Sequence, residues 1–211
     1  GAHRDLHSFP TRRSSDLPNE QISLVLGGQV QMDVEGDKKT LVADDFSYRP
    51  PNAIHSAKVL EGEDFSFITA KDTAWGIQGN LATPEEAARQ GGPDAVQHFY
   101  SVKEMEDRKA GEAYADTHGA WIEGERVIFG KLSIPAGTKA APHSHPNEQM
   151  VIVLSGSFHM NIDGDESTLV ADDIAHIPPN AIHSGEVVGS EDYVFVTAKD
   201  TSWGIQGNPV K

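Results

Sequence analysis

The stretch GTKAAPHSHPNEQMVIVLSG, residues 137–156, decides the fold of this chain. Its two histidines, His143 and His145, stand two residues apart, so on a β-strand both side chains point to the same face. Gln149 opens the continuous apolar run Met150–Leu154, which has the length of a buried strand. The stretch therefore predicts two short strands that carry two imidazoles and one amide.

A fourth candidate ligand follows in the stretch DDIAHIPPNAIH, residues 172–183. The sequence Pro178-Pro179-Asn180 predicts a rigid turn that brings His183 onto a strand beside the first two histidines. Three imidazoles and one amide oxygen suit a divalent first-row metal ion. Because all four ligands are neutral, the metal would keep its full charge, which favours polarisation of a substrate oxygen or binding of an anionic substrate.

These two stretches resemble the two sequence motifs of the cupin superfamily. From Gly137 the chain reads G-x5-H-x-H-x3-Q-x6-G, with Gln149 where cupins usually carry Glu. From Asp172 it reads D-x5-P-x-N-x2-H, with Asp172 and Asn180 where cupins usually carry glycine. Cupins are small antiparallel jelly-roll barrels with a metal ion inside. The resemblance implies a site for one divalent transition metal ion (manganese, iron, nickel, zinc or copper) held by His143, His145, Gln149 and His183.

Much of the chain occurs twice. PNEQISLVLGG from Pro18 matches PNEQMVIVLSG from Pro146, an offset of 146 − 18 = 128 residues, and residues 42–56 match residues 170–184 at the same offset. This period is too long for a solenoid unit, so it indicates a duplicated domain. Short apolar runs bounded by Gly, Pro, Asn and Asp predict many short antiparallel strands in each copy. We predict an all-β fold of two tandem cupin barrels (the double-stranded β-helix, or jelly roll), the first of them incomplete.

The first copy keeps only part of the ligand set. Gln21 and His55 stand where the glutamine and the last histidine should recur, but Ser15 and Leu17 stand in place of the paired histidines. We therefore expect one metal site per chain, in the second copy. The first barrel also lacks early strands, and the exposed strand edges predict covering by the other half or by a second chain. We expect a homo-oligomer, most simply a dimer.

The domain boundaries follow from the repeat. Residues 7–17, HSFPTRRSSDL, resemble the in-frame translation of a sequencing adapter, so we expect a non-native segment over residues 1–17. A truncated cupin domain is predicted over 18–82, a linker helix over 83–97 and a second cupin domain, with the metal site, over 98–211. Thr83-Pro84 followed by acidic residues is typical of a helix start. A second helical stretch is predicted over 102–113.

Four further residues are candidates for binding or catalysis. Lys199, Asp200 and Trp203 belong to the motif TAKDTSWGIQGN, which both copies share in nearly the same form. One interpretation places them at the barrel mouth, with Trp203 and Asp200 in contact with substrate. The other is a closing strand with a buried Trp and a turn at Gly204. Proton transfer is assigned to His176 and Lys199, and His176 qualifies if it faces the barrel interior.

Composition excludes several classes of function. The 211 residues include 10 His and no Cys, which rules out disulfides, cysteine nucleophiles and thiolate metal sites. Lys and Arg number 17 against 32 Asp and Glu, and the net charge of −15 argues against nucleic acid as a partner. No apolar run approaches the roughly 18 residues that a membrane span needs. We expect a cytoplasmic protein whose partner is a small-molecule substrate.

Three functions fit these observations. The first is a metal-dependent enzyme that uses Lewis-acid catalysis on a sugar acid, a hydroxy compound or a carbonyl compound. Its ligand set resembles that of cupins that ketonise unsaturated uronates and of cupin-type hydroxynitrile lyases, although this chain has no Arg after Arg126 to bind a uronate carboxylate. The second is a metal-dependent oxygenase or oxidoreductase. The third is a non-catalytic cupin that binds a small molecule, which an all-apolar pocket would favour.

Overall fold

The computed structural model describes residues 15–16, 18–60, 62, 64–87 and 96–210. It divides the chain into two compact units. The N-terminal unit comprises residues 1–69 and 73–99, and the C-terminal unit comprises residues 70–72 and 100–211. The described residues are built almost wholly from β-strands, all of whose described pairings are antiparallel. The predicted all-β fold is confirmed.

The strands of the first half are β1 (Ser15–Asp16), β2 (Gln21–Gly27), β3 (Val30–Val34), β4 (Asp37–Leu41), β5 (Asp45–Arg49), β6 (His55–Val59), β7 (Ser66–Lys71), β8 (Asn80–Leu81) and β9 (Phe99–Ser101). Those of the second half are β10 (Arg108–Ala110), β11 (Thr117–Glu123), β12 (Val127–Ile134), β13 (Lys139–Ser144), β14 (Gln149–Ser155), β15 (Phe158–Ile162), β16 (Asp165–Leu169), β17 (Ile174–Ile177), β18 (His183–Val187), β19 (Tyr193–Asp200) and β20 (Asn208–Pro209).

The C-terminal unit consists of two antiparallel sheets. One has the strand order β10-β11-β12-β19-β14-β17 and the other the order β16-β15-β18-β13-β20. Along β14 burial alternates, with Gln149, Val151 and Val153 buried. Side chains from both sheets, including Phe158 on β15 and Phe195 on β19, form one hydrophobic core. This alternation is what a sheet shows when it buries one face, and it gives the jelly-roll arrangement.

Residues with positive φ set the turns between these strands. Asp172 and Asn180, which stand where cupins usually have glycine, have φ of 72° and 63°. Asp and Asn tolerate the left-handed conformation better than other non-glycine residues, so the turns keep their shape. The predicted hairpin turn at Asp163-Gly164 is also present, with φ of 49° and 93°. The N-terminal unit repeats these values 128 residues earlier.

The N-terminal unit has sheets of order β4-β3-β6-β1-β8 and β7-β2-β5-β9. Ser15 pairs with His55 across β1 and β6, just as His143 pairs with His183 across β13 and β18. The register of the repeat therefore continues into Ser15. A serine occupies the position of the first paired histidine, as the sequence alignment of the two copies predicts.

Helical structure is scarcer than predicted. A single turn, α1 (Pro84–Ala87), begins the predicted linker helix, and Thr83 caps it by accepting a hydrogen bond from the Glu86 amide over 3.3 Å. Residues 88–95 lie outside the described part of the chain. The helix predicted over 102–113 is wrong, because only a 3₁₀ turn (Val102–Glu104) forms before strand β10. None of the helices in the described ranges is long and apolar enough to cross a membrane.

Candidate metal centre

The four predicted ligands lie on neighbouring strands of the C-terminal unit. His143 is on β13 and His183 opens β18, and the two residues are cross-strand partners. His145 follows β13 directly, and Gln149 is the first residue of β14. The His183 ring centroid lies 4.0 Å from that of His143 and 4.9 Å from that of His145. All four side chains belong to residues no more than 9% exposed.

Each of the three imidazoles is held in the same way by the backbone. The Nδ1 atom of His143 lies 2.8 Å from the Ala141 carbonyl oxygen, that of His145 lies 2.7 Å from the Asn147 carbonyl oxygen, and that of His183 lies 3.0 Å from the Ala181 carbonyl oxygen. A carbonyl oxygen only accepts, so each Nδ1 carries the hydrogen. The lone pair of each ring is therefore on Nε2, the arrangement that a metal-binding histidine needs.

The donor set fits a metal ion. The Nε2 atom of His145 is buried and, among the described residues, makes no hydrogen bond of normal geometry, although the Gln149 side chain lies close to the ring. A buried polar atom without a partner carries a free-energy cost, so such an atom calls for an explanation. An imidazole lone pair inside a protein, beside two further imidazoles with the same tautomer, fits a divalent first-row metal ion.

Gln149 is oriented by Thr197 on β19. The Thr197 hydroxyl donates its hydrogen to the Met150 carbonyl oxygen over 3.0 Å, so it accepts from the Gln149 Nε2 atom, 2.9 Å away. The amide nitrogen is thereby committed to Thr197. The amide oxygen is left as the ligand atom, as the predicted three-His-plus-Gln set requires.

Burial keeps the histidines neutral. It lowers the pKa of His143 to about 3, with His183 as a further cause, and it lowers the pKa of His183 to about 4. Burial and then the charge of Lys199 lower the pKa of His145. His143 and His183 are therefore unprotonated at neutral pH and free to act as ligands, and the pKa of His145 is shifted in the same direction.

As the side chains lie, the rings pack against one another and their nitrogens do not converge. His143 stacks on Tyr114 with 3.7 Å between ring centroids and an interplanar angle of 19°. Among the described residues, no set of three or more His, Cys, Asp or Glu side chains is arranged to hold a metal ion directly. Metal binding at this site therefore requires the imidazoles to turn about their side-chain bonds until the Nε2 atoms meet.

A cavity opens beside these residues, inside the C-terminal unit. It measures about 80 Å³, and His143, Gln149, His183 and Lys199 are among the residues that line it. Most of the remaining wall is apolar or aromatic and includes Leu132, Val151, Phe158, Ile177 and Phe195. This volume is small beside the roughly 300–1,000 Å³ of typical ligand pockets, so it admits a molecule of only a few heavy atoms.

Lys199 is the one proton-transfer candidate that reaches this cavity. It is 6% exposed, and burial lowers its pKa to about 8. Its Nζ atom lies 3.4 Å from the Ile205 carbonyl oxygen. In the sheet Lys199 is the direct cross-strand partner of Gln149. Its ammonium group thus neighbours the ligand set.

His176 faces away from the cavity. Its side chain on β17 is 48% exposed, and its Nε2 atom lies 2.8 Å from a carboxylate oxygen of Glu148 at the surface. Alternate residues of β17 are buried, and Ala175 and Ile177 are the ones that point inward. The condition for its catalytic role, an inward-facing side chain, is not met, so His176 is left out of the proposed site.

Asp200 and Trp203 form a supporting turn next to the ligands. The Asp200 carboxylate accepts hydrogen bonds from the amides of Glu148 and Ser202, each over 2.8 Å. Trp203 is 44% exposed, so the alternative of a buried Trp is also wrong. Neither residue lines the cavity. Their predicted contact with substrate has no support from these positions.

Sequence reasoning missed three residues that position the ligands. Asn147 spans from His145 to the 200–204 turn, because its carbonyl faces His145 and its side-chain amide donates to the Asp200 carbonyl over 3.1 Å. Thr197 recurs as Thr69 in the first copy, a signal that the repeat did contain. Tyr114, which stacks on His143, has no counterpart in the first copy, so nothing in the sequence pointed to it.

Comparison with protein families agrees with the fold. Residues 130–199, which include all four candidate ligands, match the family model described as Cupin domain. The two antiparallel sheets of the C-terminal unit agree with the jelly-roll fold of that family. No protein with a curated description matches the sequence significantly.

Solved structures similar to this chain include manganese enzymes. Oxalate decarboxylase from Bacillus subtilis, described with Mn(II) centres, aligns with a TM-score of 0.69 and 16% identity over 92% of this chain and 66% of its own. A deletion mutant of the same enzyme gives a TM-score of 0.70 over 95% of this chain. AerE from Microcystis aeruginosa gives 0.65 with 16% identity over 90% of this chain and 82% of its own. The chain thus spans about two thirds of the length of the oxalate decarboxylase.

Proposed function

We propose that the C-terminal unit is a divalent-metal-dependent enzyme that acts on a small oxygenated substrate by Lewis-acid catalysis. The observation that carries this proposal is the shared tautomer of His143, His145 and His183, which leaves the Nε2 lone pair of each neighbouring ring available as a ligand. Gln149 supplies an oriented amide oxygen as the fourth ligand. Manganese is the first metal to test, since the similar oxalate decarboxylase has Mn(II) centres.

The metal ion, Lys199 and the apolar wall would have different roles in catalysis. When bound, the metal ion would supply Lewis acidity toward a substrate hydroxyl, carbonyl or carboxylate. Lys199 stands beside Gln149 at the cavity, where its ammonium group stabilises negative charge on the substrate and can hold or release a proton. The apolar wall excludes water, which strengthens both interactions. A hydroxy or carbonyl compound of a few heavy atoms fits a cavity of about 80 Å³, whereas a sugar acid is too large for it.

The lining favours catalysis over simple binding. An all-apolar pocket around the ligands would favour a non-catalytic binding protein, but Lys199, Tyr114, Thr117 and Ser184 all line this cavity. A metal-dependent oxygenase stays the second candidate, because it would use the same metal centre. Oxygen consumption with candidate substrates separates the two, because Lewis-acid isomerisation or lyase chemistry uses no oxygen.

Metal analysis of the purified chain tests the proposal. We expect close to one equivalent of a divalent metal after reconstitution, and less than about a tenth of that in His143→Ala, which removes one of the four ligands. His159→Ala is the matched control, because His159 on β15 is a partly exposed histidine that pairs with Glu166 outside the cavity. Turnover by metal-free protein, or equal metal content in both variants, would contradict the proposal.

A further inference from the structure

The N-terminal unit has a polar cluster where the C-terminal unit has an apolar wall. Gln21 and Arg49 are cross-strand partners on β2 and β5, and so are Ser23 and Ser47. Cross-strand partners point to the same face, and alternate residues on one strand share that face. The four side chains therefore form one patch. All four residues are buried, with exposures between 1% and 7%.

The corresponding positions of the C-terminal unit show what changed. There Gln149 pairs with Ile177, and Val151 pairs with Ala175. Ile177 and Val151 line the cavity beside the candidate ligands. The first copy thus replaces two aliphatic side chains and an alanine by arginine and two serines. These replacements stand next to Gln21, in the copy that lacks the paired histidines.

Arg49 lacks a charged partner among the described residues. One guanidinium nitrogen, Nη2, donates to the Ser23 hydroxyl, and within the described part of the chain the buried Nε–H has no hydrogen-bond partner. No carboxylate of the described ranges forms an ion pair with it. Burial lowers its pKa to about 10, so it stays positively charged at neutral pH. A buried cation without an anion is costly, which is why such groups normally have one.

The neighbouring side chains use their own hydrogens elsewhere. The Ser23 hydroxyl and the Gln21 amide each donate to the Thr69 hydroxyl over 2.8 Å, and Thr69 donates to the Ile22 carbonyl over 3.2 Å. Ser23 therefore accepts from Arg49 and does not compete with it. The buried donor of the patch that still needs an acceptor, among the described residues, is the Nε–H of the guanidinium.

We propose that the N-terminal unit binds a small carboxylate at Arg49. The planar fork of a guanidinium matches the two oxygens of a carboxylate, and the pair forms short, charge-assisted hydrogen bonds. In this copy the positive charge of Arg49 lies beside Gln21, the counterpart of the candidate metal ligand Gln149. The proposal is independent of the metal centre, since it concerns the other unit and requires no metal.

Titration with acetate tests this site. The titration uses the full-length His143→Ala chain after treatment with a chelating resin. In this background no metal centre is left to compete for acetate. Acetate should then shift a set of amide resonances saturably, and Arg49→Met should weaken binding by about tenfold or more, as expected for loss of a charge-assisted pair. Arg108→Met is the matched control, because Arg108 is a partly exposed arginine already paired with Glu123. It should bind acetate as tightly as the parent.

Further readouts separate a binding role from a purely structural one. Without acetate, Arg49→Met should raise the melting temperature, because it removes a buried uncompensated charge. Added acetate should raise the melting temperature of the parent and not that of the variant. Equal acetate affinity in parent and Arg49→Met, or the absence of saturable binding in the parent, would overturn the proposal. Tighter binding of inorganic phosphate than of acetate would overturn the carboxylate assignment.

Discussion

The Gln149 side-chain amide donates a hydrogen bond to the Thr197 hydroxyl over 2.9 Å, and the same bond occurs 128 residues earlier between Gln21 and Thr69 over 2.8 Å. In both copies the threonine donates its own hydrogen to the backbone carbonyl that follows the glutamine. The amide orientation is thus fixed by the strand pairing itself. It persists in the copy that lacks the paired histidines.

We expect Thr197→Val to weaken metal binding without unfolding the chain. Valine has nearly the shape of threonine but cannot accept the Gln149 hydrogen bond, so the amide is free to turn its nitrogen toward the metal site. Loss of such a supporting hydrogen bond reduces metal affinity by about 10- to 100-fold. Competition with a fluorescent chelator measures the affinity.

Thr168→Val is the control for that substitution. Thr168 on β16 also contacts a histidine side chain, with 3.1 Å between its hydroxyl and the His159 Nδ1 atom, but the pair is at the surface. Its metal affinity should equal that of the parent. If Thr197→Val kept the parent affinity, Thr197 would have no part in orienting the ligand.

Much of the fold could be predicted because local sequence determines it. Turn residues such as Asp163-Gly164 and Asn180 prescribe their own backbone conformation, and alternation along β14 prescribes which face is buried. Because the sequence is duplicated, each strand and turn predicted in one copy could be compared with the same residues of the other. The helix predicted over 102–113 failed because the strand pairing of Arg108–Ala110 with β11 outweighs weak helical propensity.

Side-chain direction was harder to predict than strand position. His176 belongs to a short strand whose inward residues are small or aliphatic, so its outward direction depends on a register that only pairing with β14 fixes. Tyr114 reaches His143 through tertiary packing, from a segment that the other copy does not share. Contacts of this kind have no local periodicity for a sequence to reveal.

We expect Lys199→Met to separate catalysis from metal binding and stability. The buried ammonium has no carboxylate partner among the described residues, so a methionine of similar length should leave stability unchanged or raise it by about 1 kcal/mol. Metal content should stay at the parent level. Activity should fall by about 100-fold or more, since a charge and a proton-transfer group leave the cavity.

Lys139→Met is the control, because Lys139 is an exposed lysine that pairs with Glu186 outside the cavity. It should retain parent turnover. Steady-state kinetics with the substrate found by screening makes the comparison, and full activity of Lys199→Met would remove Lys199 from the mechanism.

Gly156 carries a steric requirement that Gly137 does not. Both have φ of 76°, so an alanine at either position pays for the left-handed conformation, about 1 kcal/mol. A Cβ atom at Gly156 would also lie 2.3 Å from the Asp192 carbonyl oxygen, whereas nothing lies within 4 Å of one at Gly137. We expect Gly156→Ala to cost about 1–3 kcal/mol more than Gly137→Ala in urea unfolding. Equal costs would show that the backbone yields without strain.

Tyr193 gives the C-terminal unit a dependence on alkaline pH. Its hydroxyl is buried without a hydrogen-bond partner, and burial raises its pKa above the ordinary value of about 10. Above that pH the unfolded chain loses the phenol proton while the folded chain keeps it. Titration of Tyr193 therefore leaves the free energy of unfolding unchanged below about pH 10 and lowers it as the pH rises further.

We expect Tyr193→Phe to flatten this alkaline decline and, at neutral pH, to stabilise the protein by about 1 kcal/mol, because it removes an unsatisfied buried hydroxyl. Tyr48→Phe is the contrasting variant, since the Tyr48 hydroxyl donates to a Glu20 carboxylate oxygen over 2.7 Å and its loss should destabilise. Urea unfolding at pH 8, 10 and 11 measures both effects. A decline of equal steepness in parent and Tyr193→Phe would mean that other groups govern the alkaline limb.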